Sequence, residues 1–120
     1  MRRYEINTLL AWLETKAATY PNQLVMGDMN SHYKGTKQGA VNMALFTTAG
    51  YLRTSDLAAK TDDVGGTLAN SHTDRPQYIF DYILVKGNIA TKYYTVVNNP
   101  TDGMYPSDHI PVLARISLLR

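Results

Sequence analysis

Residues 24–30 read Leu-Val-Met-Gly-Asp-Met-Asn, and they set the architecture of this chain. The apolar run that ends at a glycine predicts a buried strand over residues 23–26, with residues 27–30 at its carboxyl end. Because residues i and i+2 of an extended chain share a face, Asp28 and Asn30 would point into one cleft. There the carboxylate can bind a divalent cation or accept a proton from water, and the amide can donate to a phosphate oxygen. The same string is equally typical of a turn closed by the aspartate side chain.

One predicted helix precedes this strand, and one predicted helix and three predicted strands follow it. The predicted helices cover residues 3–18 and 38–49, and the other predicted strands cover residues 77–85, 89–97 and 110–119. A two-residue turn at Gly87-Asn88 would pair two of these strands as a hairpin. Residues 60–76 are polar and glycine-containing and predict a long surface loop. This order predicts an α/β fold (α+β type) with one mixed, mainly antiparallel sheet and helices on its outer face.

Asp81 lies within the apolar run of residues 78–85. A carboxylate inside a buried strand must be paired, because its desolvation otherwise costs several kcal/mol. A histidine is a natural partner, since the carboxylate would fix its tautomer and raise its pKa. The alternative is an ion pair with a basic side chain, and the candidates are Arg53, Arg75 and Lys86.

Residues 107–112 read Ser-Asp-His-Ile-Pro-Val and open the last predicted strand. Adjacent strand residues face opposite ways, so Asp108 could bind a metal ion while His109 faces a substrate oxygen. The histidine titrates near neutral pH, which suits proton transfer or charge stabilisation. By itself the string is also typical of a turn that starts a strand, held by Ser107 and Pro111.

Further polar side chains flank these strings. His32 follows the Asp-x-Asn string and could reach the same cleft, whereas His72 lies in the long predicted loop. Exposed loop histidines usually neither line a site nor contact a substrate. Tyr33 and Tyr105 flank the site strings and are better candidates for substrate contact than the tyrosines of the predicted strands. The candidate substrate-binding residues are therefore Asn30, His32 and Tyr105.

The composition restricts the class of protein. The chain has 120 residues, 44% hydrophobic and 18% charged, which is typical of one globular domain. It has no cysteine, so disulfides and thiolate metal sites are excluded and a metal ion would be held by oxygen or imidazole ligands. The formal net charge of +2 does not indicate a nucleic-acid binder. No apolar run approaches the roughly 20 residues that cross a bilayer, and nothing in the sequence indicates a compartment.

In this order and spacing, the strings at residues 24–30, 80–85 and 107–112 resemble the endonuclease/exonuclease/phosphatase (DNase I-like) superfamily. The resemblance implies half of a DNase I-like four-layer α/β/β/α sandwich and hydrolysis of a phosphoester by in-line attack of water. The implied cofactor is Mg²⁺ or Mn²⁺, which would neutralise the charge that develops on the phosphate. The implied substrates are nucleic acids, sugar phosphates, inositol phosphates and lipid headgroups.

The resemblance also implies a role for each matching residue. Asp28 corresponds to the carboxylate that activates the attacking water or binds a metal ion, and Asn30 to the amide that contacts the scissile phosphate. Asp81 corresponds to the acid that orients the catalytic histidine. Asp108 corresponds to a metal-binding carboxylate, and His109 to the histidine that stabilises the phosphoryl charge or transfers a proton.

The chain departs from the family in length. It resembles only the carboxyl-terminal half of a family domain, so residues 1–120 are expected to form a single incomplete domain. The family's metal-binding glutamate has no counterpart, since Glu5 and Glu14 lie on the predicted helix. We therefore expect weak metal binding and a homodimer that covers the apolar inner face of the sheet. The alternative function is a catalytically inactive half-domain, a remnant or self-associating interaction module.

Overall fold

The computed structural model describes residues 3–62, 65–69, 71–74 and 76–119. Its helices and strands are α1 (Arg3–Lys16), β1 (Gln23–Asp28), α2 (Gln38–Thr48), β2 (Leu52–Arg53), α3 (Thr54–Leu57), β3 (Lys60–Asp62), β4 (Asp81–Lys86), β5 (Ile89–Val96) and β6 (Val112–Leu118). The predicted α/β class is confirmed, and the predicted helices and strands are present with shifted ends. No helix in the described part of the chain is long and apolar enough to cross a membrane.

The strands of the described residues form two three-stranded sheets, so the prediction of a single sheet is wrong. The first sheet has the order β1-β4-β2, and β4 is antiparallel to both neighbours. The second has the order β3-β5-β6, in which β3 runs parallel and β6 antiparallel to β5. Because β4 and β5 belong to different sheets, the predicted hairpin between them is also wrong.

The turn at Gly87-Asn88 connects the two sheets instead of closing a hairpin. The Asn88 N–H donates to Asn22 Oδ1 at 2.7 Å, and Asn88 Nδ2 donates to the Leu119 carbonyl at 3.0 Å. The turn is thereby fixed to the start of β1 on one side and to the end of β6 on the other. Gly87 has φ +102° and passes so close to Pro21 that a Cβ would overlap its carbonyl oxygen. Only glycine fits this crossing.

Two apolar clusters form the core. The larger packs α1 and α2 against the first sheet, and its buried members are Ile6, Val25, Met29, Met43, Phe46, Tyr51, Tyr82 and Leu84. The smaller joins β5 to the residues before β6, and its buried members are Tyr94, Val96 and Ile110. Since successive strand residues face opposite sides, Leu24, Met26 and Asp28 lie on the face of β1 that points away from the helices.

The region predicted as a surface loop, residues 60–76, contributes structure to the second sheet and to the site. It begins with β3, which pairs with β5. Farther along, Leu68 forms isolated bridges with both Tyr78 and His109. Single-residue bridges leave no periodic pattern in the sequence, so a polar, glycine-containing composition predicts a surface loop even where such bridges form.

Candidate functional site

Strands β1 and β4 place two carboxylates opposite each other. Asp28 is the last residue of β1, Asp81 is the first residue of β4, and the antiparallel register pairs them directly. Asp81 therefore lies at a strand end, not inside the strand as predicted. Like charges at directly opposed positions weaken strand pairing. A positively charged or proton-donating group between them offsets this repulsion.

His109 contacts both carboxylates. Its Nδ1–H donates to Asp81 Oδ2 at 2.9 Å, and its Nε2 lies 3.9 Å from Asp28 Oδ2. The predicted contact between Asp81 and a histidine is thus present in the structure. Since Asp81 holds Nδ1, Nε2 is the nitrogen free to exchange a proton on the side of Asp28.

The basic side chains considered as alternative partners of Asp81 have other contacts. Arg53 Nη2 lies 2.6 Å from Asp56 Oδ2, and Lys86 Nζ lies 3.4 Å from Glu14 Oε2. Arg75 lies outside the described residues. The histidine is therefore the partner that the structure assigns to Asp81.

The carboxylates around His109 raise its pKa. The hydrogen bond to Asp81 is the largest cause, and the negative charges of Asp81, Asp28 and Asp108 act in the same direction against the opposing effect of burial. About one third of the side chain is exposed. The imidazole is thus a proton donor or a cationic group over a wider pH range than an ordinary histidine.

Asp28 uses its two oxygens for different contacts. Oδ1 accepts the Asn30 N–H at 2.8 Å, while Oδ2 faces His109. Asn30 has φ +45°, a left-handed conformation that asparagine adopts more readily than most residues. The prediction that Asn30 continues an extended chain is therefore wrong, and its alternative, a turn closed by the aspartate, is present. The turn still leaves one oxygen of Asp28 directed toward the histidine.

Thr67 holds the two sides of the site together, although no sequence pattern marks it apart from the neighbouring glycines. The residue is fully buried. Its Oγ1 accepts the N–H groups of Phe80 and Asp81 at 2.9 and 3.1 Å. Its carbonyl accepts the Ile110 N–H at 2.8 Å. Because these bonds reach the chain at Asp81 and next to His109, they fix the distance between acid and histidine.

Asp108 lies outside the group formed by Asp28, Asp81 and His109. Its side chain is exposed, and Oδ1 accepts the Ser107 hydroxyl at 3.4 Å. Its contribution to the site in this structure is electrostatic, through the pKa of His109. A role as metal ligand stays a prediction.

The predicted substrate-binding residues are divided between two places. His32 is half-buried, its Nδ1 accepts the Ile79 N–H at 3.1 Å, and it lines a cavity together with Asn30. Tyr105 instead packs against the smaller core cluster and donates its hydroxyl to Asn98 Oδ1 at 2.7 Å. His72 Nδ1–H donates to the Tyr105 carbonyl at 2.8 Å. This contact fastens two loops to each other.

The side chains at this site have the donor chemistry of a divalent-cation site. Asp28, Asp81 and His109 each offer one ligand atom, and the three atoms lie within 4.8 Å of one another. Carboxylate oxygens suit a hard cation such as Mg²⁺ or Mn²⁺. The opposed carboxylates of β1 and β4 give a physical reason for positive charge at this point.

Comparison with known proteins gives the same family as the sequence strings. A sequence profile of the endonuclease/exonuclease/phosphatase family matches residues 2–109. The chain is similar to a functionally unknown conserved protein from Enterococcus faecalis V583, with 25% identity and a TM-score of 0.76 over 95% of this chain and 43% of that one. None of the curated proteins matches this chain.

Two structures from Bacteroides thetaiotaomicron share the fold. A mannosyl-6-phosphatase from strain VPI-5482 has 19% identity and a TM-score of 0.72 over 92% of this chain and 44% of that one. An endonuclease/exonuclease/phosphatase family protein has 17% identity and a TM-score of 0.75 over 92% and 42%. The chain thus spans less than half the length of these solved proteins.

Proposed function

Since the chain belongs to the endonuclease/exonuclease/phosphatase family, we propose that it is a phosphoester hydrolase domain that acts with a divalent metal ion. The geometry of His109 carries the proposal: one carboxylate fixes its Nδ1, and its Nε2 faces a second carboxylate. This is the arrangement expected of a group that exchanges a proton beside a reacting phosphate. The chain would be a single domain that is incomplete relative to its longer relatives.

Each side chain of the site has a distinct proposed role. Asp28 accepts a proton from the attacking water or binds the metal ion, and Asn30 donates its amide to the scissile phosphate. Asp81 orients His109, which stabilises the phosphoryl charge or protonates the leaving oxygen. Asp28 and Asp108 are the proposed metal ligands. Bound Mg²⁺ or Mn²⁺ would supply positive charge for the phosphate oxygens.

The proposed substrate class is that of phosphoesters. A mannosyl-6-phosphatase of the same fold supports a sugar phosphate as one member of that class. Nucleic acids, inositol phosphates and lipid headgroups are the other members. The net charge of +2 favours a small substrate over a long nucleic acid, because an extended polyanion normally meets a basic surface.

Hydrolysis of bis(p-nitrophenyl) phosphate and p-nitrophenyl phosphate by the purified chain tests the proposal. We expect turnover with Mg²⁺ or Mn²⁺ that EDTA removes and that His109→Ala or Asp28→Asn lowers by about 100-fold or more. Asp62→Asn is the matched control, since this exposed carboxylate pairs with Lys60 on β3 and should leave the rate unchanged. Turnover that survives in His109→Ala or in EDTA would contradict the assigned roles.

Metal binding can be measured without turnover. Mn²⁺ should broaden the NMR signals of Asp28 and His109 selectively, and Asp28→Asn should weaken this effect. Equal broadening in the variant would remove Asp28 from the proposed ligands. A folded chain that binds metal but hydrolyses neither ester would support the alternative of an inactive half-domain.

The exposed face of the first sheet supports the second candidate function, a self-associating module. Leu24 and Met26 are 38% and 63% exposed on the face of β1 away from the helices. Leu52 of β2, 46% exposed, lies in the same cross-strand row as Leu24. Apolar side chains clustered in this way mark protein interfaces. The proposed occupant is a second copy, related by a two-fold axis.

Sedimentation velocity tests the homodimer. A concentration-dependent dimer should become monomeric in Met26→Lys, because a charge cannot be buried unpaired in an apolar interface. Tyr4→Lys is the control, since Tyr4 is 80% exposed on α1 on the other side of the sheet. A wild-type chain that stays monomeric at every concentration would exclude the dimer.

A further inference from the structure

A cavity of about 580 Å³ adjoins the group formed by Asp28, Asp81 and His109 but is not lined by these three residues. Asn30 and Phe80 line it, and these two residues are close neighbours in sequence of Asp28 and Asp81. The remainder of its wall comes from the segment between β1 and α2, from the first turn of α2 and from Tyr78. The volume is within the range of cavities that hold a small-molecule ligand. A ligand bound here could therefore extend to the scissile position.

The lining of this cavity is positively charged. Lys34 and Lys37 line it, and the described part of its wall contains no acidic side chain. Both lysines are exposed, and neither forms an ion pair with another described residue. Surface lysines are commonly balanced by nearby carboxylates, so an unbalanced pair around a concave surface is suited to an anionic group.

The position of Lys37 increases this positive charge. Lys37 is the N-cap residue of α2, where its side chain caps no backbone group, and the first turn of the helix has no acidic residue. The amino end of a helix carries partial positive charge, so a lysine there is unfavourable unless an anion is also present. The local sequence therefore opposes the usual preference for aspartate, serine or threonine at this position.

The remaining side chains of the cavity complete its chemistry. His32 Nδ1 accepts the Ile79 N–H, so in the neutral ring Nε2 carries the proton and can donate. The rings of Tyr78 and Phe80 lie 6.3 Å apart, and Tyr78 is 45% exposed. They form an apolar wall beside the cations, suited to the carbon skeleton of a phosphorylated compound.

We infer that this cavity is a second phosphate subsite, which binds a phosphate group other than the one hydrolysed. The inference rests on the proposed function for the reaction at Asp28 and His109. It deepens that function by naming the substrate class: compounds that carry at least two phosphate groups. A bisphosphorylated sugar or polyol and a short oligonucleotide share this chemistry.

Binding of inorganic pyrophosphate to the metal-free chain in EDTA tests the subsite independently of turnover. We expect one saturable site, with NMR shifts centred on residues 32–39, and weaker binding at higher salt. Lys37→Gln should weaken binding about tenfold, and Lys34→Gln with Lys37→Gln should abolish it. Lys92→Gln, an exposed lysine of β5, and His109→Ala should bind as the wild type does.

The absence of saturable binding, or equal binding by the double lysine variant, would overturn the subsite and leave the proposed hydrolysis intact. Turnover measurements then distinguish a phosphorylated sugar from a short oligonucleotide as the substrate. The double variant should raise KM about tenfold or more for a sugar bisphosphate or a 5′-phosphorylated dinucleotide, whichever is the substrate, and not for the sugar monophosphate. Pyrophosphate binding without turnover of any ester would contradict the proposed function and keep the subsite as an anion-binding site.

Discussion

Replacing Thr67 by valine should destabilise the fold far more than its single hydroxyl group suggests. Thr67 Oγ1 accepts two backbone N–H groups, from Phe80 at 2.9 Å and from Asp81 at 3.1 Å, and the residue is fully buried. Valine has nearly the same shape but cannot accept a hydrogen bond. Both N–H groups would then be buried or half-buried without a partner.

The expected magnitude follows from these two bonds. Leaving a buried donor unsatisfied costs about 1–3 kcal/mol, so two donors give about 2–6 kcal/mol. That is a large fraction of the roughly 5–15 kcal/mol by which a domain is stable. Thr67→Ser keeps the acceptor and loses one buried methyl group, which costs about 1 kcal/mol. The serine variant should therefore lie between the wild type and the valine variant.

Thr91 of β5 supplies a matched variant with the opposite expectation. It is 5% exposed, and its Oγ1 is buried without a hydrogen-bond partner among the described residues. Thr91→Val removes a desolvated hydroxyl at no loss of hydrogen bonding, so stability should rise by about 1 kcal/mol.

Urea unfolding followed by circular dichroism measures all three variants against the wild type. The order of stability should be Thr91→Val, wild type, Thr67→Ser and Thr67→Val. A Thr67→Val chain as stable as Thr67→Ser would refute the role of Oγ1 as a double acceptor. Equal effects of valine at both positions would show that threonine burial alone, and not its bonds, decides the outcome.

Other substitutions test the residues around Thr67. Asp81→Asn removes the main cause of the raised His109 pKa, so an NMR titration of the metal-free chain should show that pKa falling toward 6.5. Because the pKa of His109 is raised in the folded state, its protonation stabilises the fold fully below the unfolded-state pKa, and this stabilisation is lost as pH rises through the folded-state pKa. Asp81→Asn should therefore cost more stability at about pH 5 than at about pH 9. Gly66→Ala would place a Cβ 2.6 Å from backbone atoms of Gln77 and Tyr78. It should therefore lower the free energy of unfolding, measured in urea, by about 1–3 kcal/mol. Unchanged stability would show that the two backbone segments separate easily.

The sequence predicted the parts of the fold that have a local pattern. Three elements are predictable from their own residues alone. These are α1 from its apolar period, β1 from its apolar run, and β4 from its β-branched and aromatic content. The contact of Asp81 with a histidine was also predictable, because a carboxylate in an apolar run needs a partner. The separation into two sheets was not, since the turn at Gly87-Asn88 has the composition of a hairpin. Its direction is decided by Asn22 and Leu119, which are distant in sequence.

The same distinction applies to the site. Thr67 and Gly66 act through contacts with chain segments more than ten residues away, and no periodicity marks such contacts. The extended backbone predicted for Asn30 was wrong, because a left-handed residue breaks the rule that i and i+2 share a face. Pairing partners and turn handedness are tertiary properties, and a single sequence encodes them only through the whole fold.

The acid–histidine pair and the metal site depend on different features of this chain. The chain itself holds Asp81 and His109 in place. The register of β1 and β4 sets Asp28 opposite Asp81, and Thr67 bonds to both Asp81 and the residue after His109. The pair should therefore persist without metal. A magnesium ion needs about six oxygen ligands in near-octahedral geometry, and the two proposed ligands, Asp28 and Asp108, would fill only part of that shell. Metal affinity, rather than the position of His109, should therefore determine whether this chain hydrolyses a phosphoester.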